Sequence, residues 1–164
     1  MQRKITLSSL FLIITALSFN HLARADELPS VKDFTVEARE SHAKQKPILV
    51  LFMSKSCTYC EIVLQDFLLP MQRDPAFKDR VILRQIETSG RDTLIDFDGK
   101  KTTLAAFSAK HQVWGVPNVK LFDSNGQVLT SIEGLLNVYF YYAYLVNAID
   151  ESQEKIKANS KSTR

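Results

Sequence analysis

An unbroken apolar run at Ile48–Met53 (ILVLFM) stands out against its polar surroundings. Its length suits a strand, and its continuity suits a strand buried on both faces, as in a parallel or mixed sheet. Upstream, residues 31–45 are polar with sparse apolar spacing, which predicts a surface-lying helix that Lys46-Pro47 ends. Downstream, residues 54–59 form a polar turn, and residues 60–69 (CEIVLQDFLL) have helical spacing up to Pro70. Residues 81–86 (VILRQI) predict a second strand. The stretch 88–101 reads as a loop around a turn at Asp96-Phe97-Asp98-Gly99, and residues 102–111 as a helix capped by Thr. Residues 118–122 and 127–132 are two further strands joined by Asp123-Ser124-Asn125-Gly126, where Asn-Gly supplies the positive φ angles of a tight hairpin. Gly134 ends the last strand, 137–157 predicts a long final helix, and 158–164 a polar tail. The order α, β, α, β, α, β, β, α describes one α/β domain over 26–157, a small sheet with helices on both faces.

The first 25 residues are of another kind. Arg3 and Lys4 precede an apolar stretch at 5–19 diluted by Ser and Thr, and Ala23-Arg24-Ala25 places small residues where a signal peptidase needs them. The run is short for a membrane anchor, which wants about 20 apolar residues. A secretory signal peptide cleaved after Ala25 is the expectation, and with it a bacterial periplasmic location. The whole chain of 164 residues has 21 Lys and Arg against 18 Asp and Glu. Arg3, Lys4 and Arg24 account for that excess, so the remainder is neutral. Nothing then favours a nucleic-acid partner or an anionic surface.

Two cysteines make one pair, Cys57-Thr58-Tyr59-Cys60, at the junction of loop and helix. Thiols two residues apart at a helix start can close a disulfide. The helix N-terminus offers unpaired N–H groups and a partial positive charge to the first sulfur, which favours thiolate over thiol. Cys57 is thereby the expected nucleophile, and Cys60, one turn inside, the resolving thiol. A zinc site would need two more ligands, and only His42, His111 and carboxylates remain, at no recognisable spacing, so no metal is expected. Haem attachment requires His where Glu61 stands. A purely structural disulfide is the alternative, although a loop this short constrains the unfolded chain little.

The sequence resembles the thioredoxin superfamily. The likeness is carried by Lys46-Pro47-Ile48-Leu49-Val50-Leu51-Phe52 before the cysteine pair, by Gly115-Val116-Pro117, and by Val119 to Phe122 with Asn125-Gly126. The resemblance implies a thioredoxin-like fold, with a central mixed β-sheet flanked by helices on both faces, and redox-active Cys57 and Cys60. It implies a cis Pro117 facing the cysteines and a Val116 backbone that hydrogen-bonds a substrate strand. No cofactor is implied. Residues 96–101 and an insertion at 74–80 look like exported SoxW-like thioredoxins. Such relatives mostly reduce protein disulfides and are recharged by a membrane thiol-electron transporter of the DsbD or CcdA kind. A monomer is expected.

Departures from the family pattern bear on direction. Ser56 stands where Trp is usual, and Leu51 where a buried acid is usual, which leaves Glu61 or water to accept the proton of the resolving thiol. Thr58-Tyr59 matches neither the cytosolic reductases nor the strong oxidases. Alternatives therefore stay open: an oxidase or isomerase of the same fold, or a thioredoxin-fold binding module with a static disulfide. For the latter, aromatic-rich 138–145 would be the docking face; otherwise it packs on the sheet with some aromatics exposed. Trp114 either flanks the substrate groove or plugs a gap. His111 is expected at a helix end, its charge favouring the dipole.

Overall fold

The computed structural model describes residues 27–162. The proposed leader at 1–25 lies outside them. Six helices and six strands follow one another: α1 (Phe34–Lys44), β1 (Ile48–Met53), α2 (Thr58–Ile62), α3 (Leu69–Arg73), α4 (Pro75–Lys78), β2 (Ile82–Glu87), β3 (Thr93–Ile95), β4 (Lys101–Thr103), α5 (Leu104–Lys110), β5 (Asn118–Phe122), β6 (Val128–Glu133) and α6 (Tyr141–Ser162). A π-helical segment, Val63–Leu68, joins α2 to α3 without a break.

The main sheet has the order β2-β1-β5-β6. Only the β1–β2 pair is parallel; β5 and β6 run antiparallel to their neighbours. Ile48 to Phe52 of β1 are fully buried, because alternate side chains enter different cores. Leu49 and Leu51 join Val119, Leu121, Val63, Leu68, Tyr141 and Ile149 under α2, α3 and α6. Ile48, Val50 and Phe52 join Phe34, Phe107 and Phe122 under α1 and α5. Each such side chain contributes on the order of 2 kcal/mol by leaving water. The expected mixed sheet with helices on both faces is the observed one.

Local chemistry sets the helix ends. Asp33 caps α1 by accepting the Thr35 N–H at 2.8 Å, and Gln45 closes it in the left-handed conformation. Thr103 caps α5 by accepting the Ala106 N–H at 3.1 Å. Gly126, at φ +78°, closes the β5–β6 hairpin, and a Cβ there would meet the Phe97 ring at 2.6 Å. Glycine is thus required twice over, for the turn and for the approach.

Four boundaries differ from the sequence reading. Pro70 does not end the helix begun near Cys60. The Leu69 N–H reaches back five residues to the Leu64 carbonyl, and this widened turn accommodates a ring that clashes in an ordinary α-turn. The β3–β4 hairpin runs from the expected loop at 88–101 two residues into the expected helix at 102–111, its strands too short for a periodic signal. The final helix begins at Tyr141, after a turn at 138–140, and continues through the polar 158–162. His111 does follow the end of α5, but burial against Phe107 and Phe122 holds its imidazole below the usual histidine range. The expected benefit of its charge to the helix end is thereby opposed.

Tyr141 is fully buried beside Phe67. Its hydroxyl has no partner among the described residues, and burial raises its pKa well above the phenol range. An unpaired buried hydroxyl costs free energy. Tyr141→Phe should therefore raise stability by about 1 kcal/mol in urea unfolding; a comparable loss would mean the hydroxyl has a partner.

Candidate active site

The C-terminal end of β1 is where the chemistry collects. After Met53 the chain makes a turn closed by the Cys57 N–H donating to the Ser54 carbonyl at 3.1 Å. The turn is tied to β2, since the Lys55 N–H donates to Glu87 at 3.1 Å and the Thr88 N–H to the Met53 carbonyl at 2.8 Å. Cys57 then caps α2, and its sulfur accepts the Cys60 N–H at 3.1 Å. Two polar residues separate the thiols by less than one helical turn, so their Cα atoms stand 5.2 Å apart and the sulfurs are bonded. Cys57 is half-buried, while Cys60 is completely buried. One sulfur of the bond faces the solvent side and the other faces the core, an asymmetry suited to attack at Cys57.

The second component arrives through strand pairing. In the β1–β5 ladder Phe52 lies opposite Asn118, so Val116 and Pro117 sit at the sheet end from which the cysteine turn departs. The Val116–Pro117 peptide bond is cis. Gly134 N–H donates to the Pro117 carbonyl at 2.8 Å, fastening the loop to the end of β6. Among the described residues, no hydrogen bond reaches the Val116 backbone. The topology thus brings all four sequence-selected residues, Cys57, Cys60, Val116 and Pro117, to one end of one sheet.

The departures are visible as well. Leu51 is completely buried in the apolar core under α2, and Gln85, its register partner on β2, is buried with its amide oxygen unpaired. Glu61 is exposed and accepts a hydrogen bond from Gln65 at 2.9 Å. Ser56 is exposed, its hydroxyl 3.3 Å from that of Ser54. Large apolar side chains are exposed around this end: Tyr59, Trp114, Leu136, Tyr139 and Phe140. Tyr141 points inward while Tyr139, Tyr142 and Tyr144 do not, so the aromatic segment is divided between core and surface. Sequence reasoning missed Glu87 and Gly134, which touch no sulfur; their roles come from strand register.

A thioredoxin-like domain model matches residues 34–149. The chain belongs to the thioredoxin-like domain family. Among solved structures, a thioredoxin-fold protein from Helicobacter pylori is similar at a TM-score of 0.56 and 17% identity, with 86% of this chain and 94% of that one covered. DsbH oxidoreductase is similar at 0.52 and 17%, covering 75% and 85% respectively. At such identities the likeness is one of fold. No curated protein sequence matches the chain. Fold and cysteine pair together fit a thiol–disulfide oxidoreductase.

Glu87 gives the turn a pH dependence. Burial tends to raise its carboxyl pKa, but hydrogen bonds from Ser89 and from the Lys55 amide outweigh this and hold it below the usual range. The folded value being depressed, the anchor is present above about pH 4.5 and is lost as pH falls through the folded value. At neutral pH, Glu87→Ala should speed hydrogen exchange of the Lys55 amide several-fold and leave the core strands protected. Unchanged exchange would mean the turn holds itself.

Proposed function

We propose that the chain is an exported thiol–disulfide oxidoreductase working chiefly as a reductase of protein disulfides. The observation that carries this reading is the asymmetric pair: Cys57 half-exposed at a helix cap, Cys60 buried behind it, bonded to each other. In the reduced form the Cys57 thiolate attacks one sulfur of a substrate disulfide. The Cys57–substrate bond forms, the substrate's S–S bond breaks, and the departing substrate thiolate takes a proton from water. Cys60, deprotonated, then attacks the Cys57 sulfur; the mixed disulfide breaks and the second substrate thiolate leaves. Two electrons pass to the substrate and the intramolecular disulfide returns. A dithiol donor must reverse that last change.

Each remaining residue has a part. The Cys60 N–H, already directed at the Cys57 sulfur, supports negative charge there. The free Val116 backbone, beside Pro117, pairs with the extended substrate segment. With Leu51 in place of an acid and Glu61 engaged with Gln65, the Cys60 proton leaves to water.

The leader-like pattern at 1–25 supports export to the periplasm, with the domain that follows it, through the end of α6 at Ser162, as the working part. The resemblance to SoxW-like thioredoxins supports a reductase acting as a monomer and recharged by a membrane thiol-electron transporter of the DsbD or CcdA kind. A second reading, a binding module with a static disulfide, is favoured only by the exposure of Tyr139 and Phe140.

Insulin reduction with dithiothreitol as donor tests the assignment. Cys57→Ser should abolish the activity, whereas Cys60→Ser should accumulate a mixed disulfide visible by mass on non-reducing gels. A Cys57→Ser variant as active as the parent, or no trapped adduct, contradicts exchange. A chain that oxidises dithiol substrates faster than it reduces disulfides would instead be an oxidase.

A further inference from the structure

A groove of about 190 Å³ adjoins the cis-proline loop, lined among others by Gln112, Trp114, Val116, Asn118 and Glu133. Its construction follows from strand register. Asn118 of β5 and Glu133 of β6 are opposite one another, so their side chains lie on the same face of the sheet. Asn118 forms the floor and Glu133, on the edge strand, one wall. The chain leaving α5 turns at Gln112, φ +57°, and brings Trp114 round as another wall.

Three features of this groove call for the same kind of ligand. Asn118 is only 3% exposed, yet its side-chain carbonyl oxygen has no hydrogen-bond donor. Lys120, buried two residues further along the same strand face, does not supply one. Trp114 is 81% exposed, a broad π-face of the kind that attracts cations most strongly. Glu133 is exposed and, among the described residues, forms no ion pair. No Lys, Arg or His lines the groove. An aliphatic group would leave the Asn118 oxygen unpaired, and an anion would meet the Glu133 carboxylate. A cationic N–H donor on an apolar stem suits Trp114 and Glu133 as they stand, and pairs with Asn118 once that side chain turns its sealed oxygen toward the groove.

Resting on the exchange reading above, we propose that this groove is a side-chain subsite for a lysine or arginine flanking the reactive cysteine of the disulfide partner. The groove is continuous with Val116, whose backbone is free to pair with the partner strand. Side chains of a paired strand alternate between faces, so one partner residue near the cysteine is directed toward the sheet face holding Asn118 and Glu133. The protein then selects among disulfides by the charge beside them. Val116 and Pro117 orient the partner backbone, while Trp114, Asn118 and Glu133 read one side chain.

The test uses short disulfide-linked peptides carrying Lys within two residues of the cysteine, with norleucine versions as uncharged isosteres. Exchange with the reduced chain is followed through Trp114, the only tryptophan in the sequence. At low salt the best Lys peptide should react about fivefold faster than its norleucine twin, and 1 M salt should shrink the advantage. Glu133→Gln should cut the advantage of the Lys peptide over its norleucine twin below about twofold. Equal rates for both peptides, or an advantage that survives Glu133→Gln, would overturn the subsite. If neither peptide exchanges, the redox reading fails by itself. The subsite is then decided by titrating the oxidised chain with the same peptides bearing Ser for Cys. A Trp114 emission change with the Lys peptide alone supports the subsite, and no change with either overturns it.

Discussion

Five consecutive side chains of β1 are sealed from solvent on both faces of the sheet, and the strand stops at Met53. The chain has to leave a fully buried strand and enter a helix that covers one of the two cores, within four residues. Cys57 occupies the cap of that helix as a consequence of this geometry. The same strand fixes the other half of the site, because the register that seats Phe52 against Asn118 also sets where the Val116–Pro117 bond lies. Core packing and chemistry are thus one arrangement. Enlarging or shifting β1 would move the sulfur and the proline loop against each other.

The asymmetry between the sulfurs has a simple origin. Cys57 belongs to the turn, anchored to β2 through Glu87, and keeps access to solvent. Cys60 lies one turn into a helix whose inner face is apolar, and loses it. Leu51 beneath that helix makes the surroundings drier than an acid would. Burial penalises an isolated thiolate, so negative charge belongs at Cys57, where the Cys60 N–H already points. The division between attacking and resolving thiols follows from which sulfur can bear charge.

Much of this was legible in the sequence. The ILVLFM run, the Asn125-Gly126 turn and the cysteine spacing each carry a local physical signal, and the fold places them where they were read, although in the turn Gly126 alone takes a positive φ and Asn125 does not. What escaped was what depends on partners distant in the chain. The β3–β4 hairpin spans too few residues for periodicity to register. Pro70 is a helix breaker by its own chemistry, yet a π-turn upstream absorbs it. Polar residues 158–162 extend a helix whose apolar face was already docked. The pairings of Glu87 with Lys55 and of Asn118 with Glu133 arise only when β2 and β6 take their places.

The Cys57–Cys60 bond has to open and close readily for exchange, and its reduction potential measures that directly. The protein would be equilibrated in dithiothreitol or glutathione buffers of graded poise, and its free thiols trapped by alkylation and counted by mass. A reversible two-electron transition near −270 mV, in the range of reducing thioredoxins, is the expected result. A pair that stays oxidised well below about −300 mV would behave as a structural disulfide and contradict the account.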